Sequence, residues 1–94
     1  MLPDMNPGTP APAGGLIVLS TFPNELAARD MACLLVRESL AACVNILPGI
    51  HSIYSWEGRI ESTQEVLAVI KTTAERYPAM EARMLACHPF KVPE

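Results

Sequence analysis

Cys33, Cys43, Cys87, His51 and His88 are the side chains of this 94-residue chain best suited to soft-metal or nucleophile chemistry. A thiolate with an imidazole suits Cu or Zn, and Cys43 with His88 is one such pair. They stand 45 positions apart, so no ligand spacing joins them. A tetrahedral site needs more ligands than these two. Cys43 lies in an apolar run, where a plain buried thiol is common. His88 ends a helical pattern, where its cation complements the dipole. Cys87 adjoins His88, but helix neighbours point about 100° apart, a poor chelating geometry. His51 reads as a solvated strand position. A cysteine nucleophile with His88 as base lacks an orienting third group. Glu57, Glu61 and Glu65 flank a turn and read as solvated, so the expectation is a protein that is not an enzyme.

Two further groups stand out. Lys71, Thr72 and Thr73 combine a cation, two hydroxyls and backbone N–H groups where a strand hands over to a helix. That set could line a cleft for an anion or small ligand. Tyr54 and Trp56 offer large amphipathic area, as interface anchors do.

The elements that must position them follow from periodicity. Residues 16–21 (LIVLST) form a short β-rich run, read as a buried strand. Phe22-Pro23-Asn24 ends it, and Asn24 is a suitable N-cap. Ala27, Met31, Leu34 and Leu35 recur at helical spacing to about Leu40, with Glu25 and Arg29 four apart on the other face. Residues 42–56 and 59–73 are two long strand-like arms around Glu57-Gly58, a hairpin turn signal. The first arm would reach about 50 Å if extended, beyond the roughly 30 Å diameter of a domain this size. Either it breaks at Pro48-Gly49 or the hairpin leaves its own domain. In the second arm Val66, Ala68 and Ile70 face one way, and Leu67 and Val69 the other. A strand apolar on both faces is covered on both faces. Pro78 opens a second helix, with Met80, Met84, Leu85 and Cys87 as its inner stripe and His88-Pro89 as its end.

Composition bounds the rest. The chain is half hydrophobic with a formal net charge of −3. It has no basic run for nucleic acid and no apolar stretch long enough to span a membrane. An odd cysteine count without a CxxC pair argues against a disulfide framework and for a reducing, cytoplasmic setting. Residues 1–15, rich in Pro and Gly, read as a flexible tail, and residues 16–94 as one α+β domain. A core this small is marginal alone, and oligomerisation is one remedy. Strand, helix, strand, strand, helix is the start of a ferredoxin-like βαββαβ sandwich, one strand short.

Residues 40–49 (LAACVNILPG), 52–58 (SIYSWEG), 70–73 (IKTT) and 88–94 (HPFKVPE) closely resemble the CutA, or divalent-ion tolerance, family. The resemblance covers residues 16–94 without gaps. It implies a ferredoxin-like fold in a tight homotrimer of PII-like architecture, with long hairpins reaching between subunits, and a single strand bent at Pro48-Gly49. It also implies a non-enzymatic role in binding or tolerating divalent metal, copper first, with Cys43 and His88 from the ligand set proposed for the family. Ser20 stands where some members carry a further cysteine of that set. The family continues past its His-Pro-aromatic motif with a fourth strand and a short helix, which this chain is expected to lack. The alternative role is a PII-like signalling or scaffold trimer that binds a small ligand in intersubunit clefts.

Overall fold

The computed structural model describes residues 14–87; residues 1–13 and 88–94, including His88, lie outside it. The order is β1 (Gly15–Phe22), α1 (Glu25–Arg37), β2 (Cys43–Trp56), β3 (Arg59–Thr73) and α2 (Tyr77–Cys87). Both hairpin arms are single strands, so the chain does not fold back at Pro48-Gly49. Among the described residues β3 is central, with β1 and β2 antiparallel on either side. This is the α+β, ferredoxin-like arrangement that the element order predicts.

Local chemistry explains the boundaries. The Ala27 N–H donates to Asn24 Oδ1 at 2.8 Å, which caps α1 as expected. The helix stops at Arg37, three residues earlier than its apolar spacing suggests. Ser39 takes the left-handed conformation at φ 59°, and the Leu40 N–H donates to Leu35 O at 2.8 Å. That is a helix C-terminal closure of the kind glycine usually makes. At the hairpin tip Glu57 and Gly58 both have positive φ, 50° and 76°, as a two-residue type I′ turn requires. Gly49 is also left-handed, at φ 77°. There Leu47 pairs with Leu67 but Ile50 with Glu65, so β2 carries one extra residue. Pro48 sits in this bulge, where its missing N–H breaks no ladder bond.

The core lies between the helices and one sheet face. Phe22, Val66, Ala68 and Ile70 from the sheet meet Ala28, Met31 and Leu35 of α1 and Met80 and Met84 of α2. Leu85 and Cys87, expected in the α2 stripe, are exposed. Met80 and Met84, four apart, fill the α2 seam; Leu85 lies about 100° round the helix from Met84, whereas Cys87 keeps the seam side but ends the helix.

The outer face of the sheet is different. In register across the three strands lie Ile17, Lys71 and Cys43, then Leu19, Val69 and Asn45, then Thr21, Leu67 and Leu47. No described element covers this face, and Leu19 is 58 % exposed. Beyond Val66, β1 has ended and β2 and β3 continue as a bare two-stranded ribbon. The long hairpin lies within extents of 45 × 30 × 22 Å. Tyr54 and Trp56 continue the outer face onto it, while Ile53 and Ile60 crowd its other side. Ile60 is 76 % exposed.

Candidate ligand site on the outer sheet face

Cys43 opens β2 directly across from Lys71 of β3, and the Ala42 N–H donates to Lys71 O at 2.8 Å. Period-two alternation places both side chains on the outer face, each half-buried. Two residues that the sequence assigns to different sites are therefore neighbours. A thiol beside an ammonium can attract an anion, and the ammonium works against a cation bound to that thiol alone.

Thr72 points the other way. It is buried, and its Oγ1 donates to Leu40 O at 2.6 Å, which ties the end of β3 to the α1–β2 connection. The Thr73 Oγ1 accepts from the Arg76 N–H at 3.2 Å, and Arg76 Nη1 donates to Ser39 O at 2.6 Å. Both hydroxyls thus serve the fold, and Lys71 is the member of the trio that faces outward with Cys43.

Of the metal candidates, Cys43 is placed and His88 lies outside the described residues. His51 is exposed on the ribbon across from Gln64, as expected. Among the described residues, no group of three or more His, Cys, Asp or Glu is arranged to hold a metal. Cys43 supplies one soft donor, fewer than a closed site needs. Tyr54 and Trp56 stand on the outer face of the ribbon. The Tyr54 hydroxyl is 2.8 Å from the Thr63 hydroxyl, and Arg59 pairs with Glu61 at 3.8 Å on the same face. Trp56 is 59 % exposed.

Glu65 departs from expectation. It was assigned to solvent with Glu57 and Glu61, yet it is only 7 % exposed. It sits where the bulge meets the end of β1, opposite Ile50. The signal was its place at the start of the apolar run 66–70, next to Pro48-Gly49 in the opposite arm.

Residues 16–94 match the family model described as CutA1 divalent ion tolerance protein. The divalent-cation tolerance protein CutA of Thermus thermophilus is 50 % identical over 78 residues, covering 83 % of this chain and 76 % of that protein. The mouse protein CutA is 41 % identical over 96 residues, covering 94 % of this chain and 54 % of that protein. Among solved structures, CutA from Xylella fastidiosa superposes with a TM-score of 0.82 at 43 % identity, over 87 % of this chain and 79 % of that one. The Thermus thermophilus Cut A1 structure gives 0.80 at 49 %, over 85 % and 78 %. With the ferredoxin-like strand order, the long bulged hairpin and these matches together, the chain belongs to the CutA1 divalent ion tolerance family.

Proposed function

We propose that this protein acts in divalent-metal tolerance as a homotrimer of PII-like architecture that binds copper, without catalysing a reaction. The carrying observation is the uncovered outer face. Ile17, Leu19, Leu47, Tyr54 and Trp56 form one continuous surface with apolar area open to water, more than a lone protomer of this size leaves without a use. A second and third copy laid on that face would cover it, and the ribbon would reach across the neighbour. Cys43 lies on the same face, so assembly would bring thiols from several copies toward one another. That supports a metal site completed between subunits, with His88 as its further ligand and copper as the soft ion it suits. The three free thiols support a reducing, cytoplasmic setting.

Copper titration of the assembled protein tests the reading. Binding should be stoichiometric and should fall in Cys43→Ala and in His88→Ala. Unchanged binding in both variants rejects the assignment.

One observation favours a second reading. Lys71 beside Cys43 suits an anionic small molecule held in an intersubunit cleft, and a PII-like signalling role, with Thr72 and Thr73 holding the strand end behind it. Lys71→Ala would then abolish ligand binding and leave copper binding intact.

A further inference from the structure

Glu65 is a buried carboxylate for which the described residues supply no partner. It stands on the outer face of β3, opposite Ile50, at 7 % exposure. Among the described residues neither a cation nor a hydrogen-bond donor is paired with its side chain. The outer face carries three other charges. Arg59 and Glu61 answer each other at 3.8 Å. Lys71 lies six residues along β3, about 20 Å away. A buried carboxylate is costly unless it is paired. No fully sealed side-chain oxygen among the described residues lacks a partner, so the Glu65 oxygens lie at the mouth of their recess, open to the outer face.

Two hydroxyls share that mouth. Thr63 is two residues along β3 on the same face, about 7 Å away, and Ser52 is its partner in β2, about 5 Å across. The Thr63 hydroxyl is 2.8 Å from that of Tyr54, and its oxygen keeps a second lone pair. Leu47, Ile50 and Leu67 adjoin the mouth as an apolar wall. One carboxylate and two hydroxyl oxygens match the three N–H donors of a primary ammonium. Charge agrees with this match. An ammonium neutralises the single carboxylate, whereas a divalent ion would leave a net positive charge and calls for about six or more oxygens.

We infer that Glu65, Thr63 and Ser52 form an acceptor site for a primary alkylammonium, with its alkyl stem on Leu47, Ile50 and Leu67. The ammonium belongs either to a free alkylamine or to a lysine, Lys71 or Lys91, of a neighbouring copy. Only the second source rests on the proposed homotrimer. The site is independent of Cys43 and His88.

Calorimetric titration of the full chain with n-butylammonium tests this in two arms. If the source is a free amine, the parent binds butylammonium. Glu65→Gln then weakens binding roughly 10- to 100-fold, and Thr63→Val weakens it several-fold. If a lysine fills the site, the parent gives no binding heat. Lys71→Ala or Lys91→Ala then opens the site to butylammonium, and adding Glu65→Gln abolishes that binding. Tetramethylammonium, which has no N–H, should not compete in either arm, nor should magnesium at equal ionic strength. Circular dichroism of Glu65→Gln should match the parent, because the amide keeps the shape. Binding unchanged by Glu65→Gln, no binding in any of these backgrounds, or equal competition by tetramethylammonium or magnesium overturns the site. A native mass of one chain with butylammonium still bound removes the trimer and the lysine source and leaves the site standing.

Discussion

Trp56→Ala should break the assembly without unfolding the protomer. Trp56 is 59 % exposed and pairs with Arg59 beside the hairpin turn, far from the core. A tryptophan buries about 150–250 Å² when covered, so roughly 90–150 Å² of it awaits a partner. At about 25 cal/mol per Å² the missing contact is worth about 2–4 kcal/mol. With tenfold per 1.4 kcal/mol, each subunit contact should weaken by roughly 30- to 700-fold. Sedimentation velocity over a dilution series measures this directly. Leu26→Ala is the control: Leu26 is as exposed, but it sits on α1, in the helical layer, and its loss should leave the assembly unchanged. Circular dichroism of the Trp56→Ala protein should match the parent. A dissociation constant within threefold of the parent would refute the claim that the ribbon's outer face meets another copy.

Three other outcomes follow from local geometry. Ser39→Gly should stabilise the protomer by about 1 kcal/mol, since Ser39 holds a left-handed conformation that glycine adopts without strain; chemical denaturation checks it. Thr72→Val should cost about 1–3 kcal/mol, because it leaves the Leu40 carbonyl without its short hydroxyl donor; the urea midpoint should drop with the slope unchanged. The Tyr77 hydroxyl donates to Glu81 Oε2 at 3.1 Å, and this bond, with the charge of Glu81, raises the phenol above its usual value of 10.0. A raised folded value means that the contribution to stability is complete below pH 10 and is lost as pH climbs through the folded value. Phenolate absorbance should show a late-titrating component that Tyr77→Phe removes and Glu81→Gln returns toward the usual tyrosine range.

Much of the fold could be read from residue types because local chemistry decides it. Asn24 caps and Glu57-Gly58 turns, each for a backbone reason visible in the chain, whereas at Pro48-Gly49 residue types alone leave a break or a continuing strand open and the strand continues through a bulge. The end of α1 was misplaced because the left-handed closing residue is Ser39, which carries no glycine signal. Leu85 and Cys87 were assigned inward because helical spacing gives a period and leaves the stripe's width to packing. The site was less legible. That Cys43 meets Lys71 depends on the register of strands 28 residues apart, which the extra residue in β2 shifts beyond the bulge. Glu65 was read from its charge, whereas the bulge beside it governs its burial.

In the proposed homotrimer the outer sheet face is covered by neighbouring copies. The native mass of the full chain at micromolar concentration, by light scattering or native mass spectrometry, tests that most directly. A closed three-fold assembly of this 10.2 kDa chain should give about 31 kDa, with a melting temperature that rises with protein concentration. A monodisperse species of one chain mass, melting at the same temperature at every concentration, would contradict it.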